Sequence, residues 1–172
     1  MRDAILADAF GHHVWATDRL IEACLPLTAD QLVAPVPGTY GSIIDTMRHL
    51  VGADAAYLEL LTDGRVAALD PDAEAAMDLA TLRRVMAGCG EGWSWLLDQP
   101  LDGTRMVVRH RDDGSTSGAP LGVRMAQALH HGTDHRSQVC TALTLLGIEP
   151  PAIDVWDFAS TDDRLTETQP GA

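Results

Sequence analysis

The chain has 172 residues, 46% of them apolar and 22% charged, with 12 basic against 25 acidic side chains and a formal net charge of -13. That length is enough to close one ordinary core without staples, and the apolar share excludes a disordered acidic polymer. The excess negative charge, with no basic stripe to offset it, argues against a nucleic-acid partner.

In chain order, Ile5, Leu6, Phe10, Val14, Leu20, Ile21 and Leu25 recur at helical intervals over residues 3 to 25, and Pro26 ends the pattern. LTADQL predicts a short helical turn capped by Thr28, and VAPVPGTYG, broken by prolines and glycines, a loop. A second long helix is expected from Ser42, with Asp45 three residues on as a weak capping-box partner, through to the stop at Asp63-Gly64. Asp70-Pro71-Asp72 marks the start of a third, which the Ala-, Leu- and Met-rich stretch carries from Ala73 to Leu97.

The period then changes. Arg105, Val107, Arg109 and Arg111 alternate with Met106, Val108 and His110, and Asp112-Asp113-Gly114 supplies a turn, so a short strand or hairpin is expected over 104–119. The last long helix runs from about Leu121 to Leu146 and ends at Gly147. Beyond it, Trp156 and Phe158 are expected to pack before the chain frays over 161–172. The expected fold is all-α: a four-helix bundle with a short extended or hairpin insertion between helices three and four, forming one domain over 1–160.

The opening residues lack the continuous apolar stretch of a signal peptide, and the longest late apolar run is too short to span a bilayer. A cytoplasmic location without membrane contact is therefore expected. Cys24, Cys89 and Cys140 are scattered and form no CxxC, as suits reduced, partly buried structural thiols.

Seven histidines carry most of the functional signal. ALHHGTDHRSQ places His131 and His135 four apart on one helical face, where two imidazoles can reach a single metal ion. The same spacing also suits a wet helical face or a hydrogen-bonded core pair. His49, on a face with Ala53, Ala56 and Leu60 that allows close approach of a neighbouring helix, is the best candidate for a third ligand. Three histidines with an open position would form a catalytic rather than a closed structural site, while a satisfied core or surface histidine is the competing reading of His49.

His12 and His13 could reach the interior as outer-sphere or substrate-contact groups, although a solvent-facing or locally hydrogen-bonded role is favoured for each. His130 is rotated by roughly 100° from His131, and His110 is expected to face solvent. Asp134 could orient His135 or serve the surface, and Arg136 could receive an anionic substrate or pair internally. A di-iron carboxylate bundle is rejected, because only six Glu occur and no Glu-x-x-His motif is present. Phosphate-binding glycine loops, Gly-x-Ser-x-Gly and His-Glu-x-x-His are absent from the sequence.

HVWATDRL, LTADQL, GSIIDTMRHLVGADAAYLELL and HHGTDHRSQVCTALTLLGIEPPAIDVWDF together resemble the DinB/YfiT-like family of four-helix bundles. The resemblance implies a divalent ion on His49, His131 and His135, although the family's usual His-Arg-Gly-Gln reads His135-Arg136-Ser137-Gln138 here. It further implies a metal-dependent enzyme, with zinc or nickel, that activates a low-molecular-weight thiol for transfer or isomerisation and pairs as a homodimer. Arg136 and His13 are the expected substrate contacts. A metal-dependent hydrolase and a non-catalytic metal- or ligand-binding bundle are the alternatives.

Overall fold

The computed structural model describes residues 3–111, 113–166 and 168. Its helices start where side chains can take the first free N–H groups. Asp3 accepts from the amides of Ile5 (2.8 Å) and Leu6 (3.2 Å) to open α1 (Ala4–Cys24). Thr28 and Gln31 form a reciprocal capping box on α2 (Ala29–Val33). Ser42 caps α3 (Ile43–Leu61), but its expected partner acts differently: Asp45 accepts the Ser42 hydroxyl at 2.5 Å instead of the backbone amide. Asp is one methylene shorter than the Glu that usually makes that return bond.

The expected third helix is two helices. α4 (Pro71–Ala76) starts at the Asp70 cap as read, then the chain becomes extended at Met77, and Asp78 caps a new helix, α5 (Leu79–Leu97), by accepting from Thr81 N at 2.8 Å. Arg48 donates to the Met77 carbonyl at 2.9 Å and pins the break against α3. An Asp able to recap the chain thus overrides the continuous Ala-rich pattern.

The alternating segment forms an antiparallel hairpin of β1 (Met106–His110) and β2 (Thr116–Pro120), with Val108 opposite Gly118. Gly114 takes φ 81° in the connecting turn, whereas Asp112, the first residue of the expected turn, lies outside the described residues. Helix α6 (Leu121–Leu145) follows without a side-chain cap. Its first amides are instead satisfied by the loop before the hairpin, Leu121 N bonding to Arg105 O (2.8 Å) and Gly122 N to Gly103 O (2.9 Å). At the far end Gly147, at φ 72°, lets Ile148 N return to Leu143 O.

Among the described residues, the four long helices α1, α3, α5 and α6 form the bundle. α1 and α3 each pack against both α5 and α6, so α1 and α3 stand diagonally opposite. The core includes Phe10, Leu20, Met47, Leu58, Met86, Trp93 and Leu143, and burial of each such large side chain contributes about 1.5–3 kcal/mol. No described helix is long and apolar enough to cross a membrane.

The end of the chain corrects one expectation. α7 (Val155–Thr161) packs Phe158 on α1, its ring against Gly11 and 5.6 Å from that of Trp15, but leaves Trp156 67% exposed. Only the side of a short helix that meets α1 can be covered. The frayed segment expected over 161–172 falls partly on residues 167 and 169–172, outside the described residues.

The three cysteines are free; burial pushes the thiols of Cys24 and Cys89 up to about 12 and raises that of Cys140. Thiolate at the first two is roughly a thousandfold scarcer at neutral pH than in free cysteine. A colorimetric disulfide reagent at pH 7.5 should therefore leave Cys24 and Cys89 unmodified in the folded protein and titrate all three thiols in denaturant; rapid reaction of either in the native state contradicts the packing.

Candidate metal centre

Helices α3 and α6 pack side by side, bringing His49 of α3 opposite the His131–His135 pair of α6. His131 Nε2 stands 3.0 Å from His49 Nε2 and 3.1 Å from His135 Nε2, and ligand atoms of all three rings lie within 4.8 Å of one another. A tetrahedral cation about 2.0–2.1 Å from each nitrogen sets neighbouring nitrogens about 3.3–3.4 Å apart. The two short separations lie within a few tenths of an ångström of that spacing.

The neighbouring groups fix the tautomer of one ring. Gln138 Oε1 accepts from Tyr40 N and faces His135 Nδ1, each at 3.0 Å. An oxygen can only accept, so the His135 proton lies on Nδ1 and the Nε2 lone pair faces the other two rings. Asp134, considered for this role from the sequence, is exposed; Gln138, one turn further and on the correct face, performs it. Tyr40 also stacks on His49, centroids 4.1 Å apart and planes 9° from parallel, and sets its edge against His135. Nothing in the loop sequence around Tyr40 pointed to this contact.

Burial, reinforced by the neighbouring imidazoles, lowers the proton affinity of His49 and pushes His131 down to about 4. Neutral rings with converging lone pairs are what a divalent ion requires. The three histidines therefore make a site able to hold a metal ion.

His49 and His131 line a cavity of about 730 Å³. Ala53, Ala56 and Leu60 face this cavity, so the small residues on the His49 face leave room for a ligand where close helix packing was expected. The hairpin contributes Val108, Arg109 and His110, and is held to α6 by Arg124, whose Nη2 donates to Ser117 O (2.8 Å) and Val107 O (3.3 Å). From α4, Glu74 reaches into the cavity and lays its carboxylate over Gly52, where a side chain would collide with it. Partial burial raises the Glu74 carboxyl above its ordinary value. The sequence reading passed over Glu74 because only the break at Met77-Asp78 turns α4 toward α3.

Arg136 and His13 are brought together, but inside the bundle and away from the cavity lining. Both are buried, at 4% and 0% exposure, as is Asp54 at 1%. Arg136 Nη1 lies 3.0 Å from His13 Nδ1 and 3.2 Å from Thr17 Oγ1, while His13 Nε2 lies 2.7 Å from Asp54 Oδ2. Since a guanidinium only donates, His13 accepts at Nδ1 and donates from Nε2 to the carboxylate. Of the adjacent pair, His13 is therefore the interior residue, and its ring partners lie far away in sequence, contrary to the solvent-facing or locally hydrogen-bonded role favoured for it. His12 is half-buried against Ile153 O (2.9 Å), and His130 is exposed. His110 is exposed as expected, yet it also lines the cavity. The pairing of Asp54 with His13 had no local signal, because the two residues are 41 positions apart.

The DinB family profile matches residues 1–169. The chain belongs to the DinB family. No curated protein matches it. The family assignment agrees with the helical bundle and with the histidine cluster of this DinB-family chain.

Two glycine substitutions should separate the buried network from the cavity. A Cβ on Gly132 would fall 2.6 Å from His13 Nδ1 and 2.9 Å from Arg136 Nη1, both fixed by buried hydrogen bonds. Gly132→Ala should cost about 1–3 kcal/mol in urea unfolding. On Gly52 the obstacle is the end of the flexible Glu74 side chain, so Gly52→Ala should leave stability unchanged or raise it by up to about 1 kcal/mol through the helix preference of Ala. Equal effects would contradict this distinction.

Proposed function

We propose that this DinB-family protein is a divalent-metal-dependent enzyme that activates a low-molecular-weight thiol for transfer to, or isomerisation of, a small molecule held in the cavity. The observation that carries this reading is the convergence of the His49, His131 and His135 Nε2 atoms, with His49 and His131 lining a cavity of about 730 Å³. His49, His131 and His135 would hold a zinc or nickel ion, which when bound would supply a Lewis acid favouring the ionised form of a thiol or a water at neutral pH.

The chain's own residues do the rest. His135 is held in its coordinating tautomer by Gln138, and His49 is oriented by the Tyr40 ring. Glu74, in the same cavity and with a carboxyl of raised proton affinity, accepts the proton that the nucleophile loses. Arg109, on the cavity wall, receives a carboxylate of the thiol or of its co-substrate. Arg136 and His13 serve this site from within the bundle, by setting the position of α6 against α1. Hydrolysis is the second reading, favoured by Glu74, since a carboxylate so placed can deprotonate water as readily as a thiol. The expected homodimer belongs to the same proposal, and a mass of 18.4 kDa in light scattering at micromolar concentration would remove it.

Replacing His49, His131 and His135 together by Ala should abolish stoichiometric metal binding and all turnover, measured by elemental analysis and by thiol consumption across a panel of electrophiles. Glu74→Gln should keep the metal and lower kcat by about 10²–10⁴-fold. Metal-loaded wild type that turns over neither thiol-electrophile pairs nor hydrolytic substrates would instead identify a binding bundle.

A further inference from the structure

Four buried side-chain polar atoms among the described residues have no hydrogen-bond partner, and two of them are Asp54 Oδ1 on α3 and His131 Nδ1 on α6. These helices pack directly against each other, and Asp54 holds the His13 ring that lies on Gly132, the residue after His131. The two unpartnered atoms are chemically complementary. If His131 turns the lone pair of Nε2 toward His49 and His135, its ring proton must sit on Nδ1, where it needs an acceptor. Asp54 Oδ1 is an acceptor in need of a donor.

The rest of the carboxylate is already fixed. Its Oδ2 takes the Nε2 proton of His13 at 2.7 Å, and the His13 ring lies on the bare backbone of Gly132, next in sequence to His131. His13 is held from its other side by Arg136, which Thr17 also anchors. With Oδ2 tied in this way, little freedom remains for Oδ1. Asp134, the carboxylate nearest to His131 in sequence, is exposed on the surface of α6 and cannot substitute in the interior.

We infer that Asp54 is a positioning residue of the metal centre: its Oδ1 receives the Nδ1–H of His131 through one enclosed water, and so holds Nε2 toward the place a cation would take. This rests on the metal-binding reading of the three histidines. A carboxylate behind a ligating imidazole fixes the tautomer and raises the basicity of the ligand, and losing such a partner weakens metal binding about 10–100-fold. The histidines of α6 are then held by two different acceptors, His135 by Gln138 and His131 by Asp54.

Zinc affinity measured by competition with a chromogenic chelator tests this in the full chain. Asp54→Asn should bind zinc about 10–100-fold more weakly than wild type while still binding one equivalent. Zinc affinity equal to that of wild type would overturn the inference, even if the variant unfolds at lower urea. Because Asp54 also anchors His13, a second measurement uses the unaltered protein: long-range proton–nitrogen NMR spectra of the zinc-loaded chain. A downfield His131 Nδ1 proton that exchanges slowly with deuterium oxide is expected. A proton with the shift and fast exchange of a water-exposed imidazole would overturn the inference. Wild type that binds no zinc would defeat the metal reading together with it, whereas normal zinc binding with an unaffected Asp54→Asn variant defeats this inference alone.

Discussion

The 2.7 Å hydrogen bond between His13 and Asp54 joins α1 to α3 across the middle of the bundle, between helices that stand diagonally opposite. A carboxylate so fully enclosed is stable there only if its charge is answered. The answer comes from a neutral imidazole in contact and from the Arg136 guanidinium beyond it. Removing one member of a buried charged group typically costs about 3–5 kcal/mol, since the others are left uncompensated. The network therefore determines how closely α1, α3 and α6 approach one another. That spacing sets where the His131–His135 ridge meets His49.

Around this tie the bundle separates two environments. On the α1 side of α6 the polar groups are enclosed and paired, and Gly132 is needed so that the His13 ring can lie against the backbone. On the other side, the small residues of α3 hold back from their neighbours and leave a cavity, walled by the hairpin and by Glu74. The acidic surface plays no part in this division. The candidate site is made of imidazoles, of which His49 and His131 are kept neutral by burial and by their neighbours, within a chain whose formal charge is -13.

Legibility in the sequence followed the range of the interaction. The caps at Thr28, Ser42 and Asp70 and the stop at Gly147 are local, and each stands where its residue type implied. The His131–His135 pair was readable because helical spacing alone puts both rings on one face. The break at Met77-Asp78 was missed, because the apolar pattern continues across it and only a contact from Arg48 and a recapping Asp turn the chain. Gln138 was visible as a neighbour of the motif but not as the acceptor for His135, since Tyr40, which fixes the orientation of its amide, arrives from a distant loop.

By itself the sequence determined the four long helices apart from the break at Met77-Asp78, the hairpin between the last two of them, and three histidines able to serve as metal ligands. Those properties depend on periodicity, capping and side-chain chemistry, which act within a few residues. Only the tertiary structure decided which faces meet. It placed His13, Asp54 and Arg136 inside the bundle, and turned Ala53, Ala56 and Glu74 toward an open cavity. Those assignments depend on packing between residues far apart in the chain, where burial selects among faces that a helical pattern leaves equivalent.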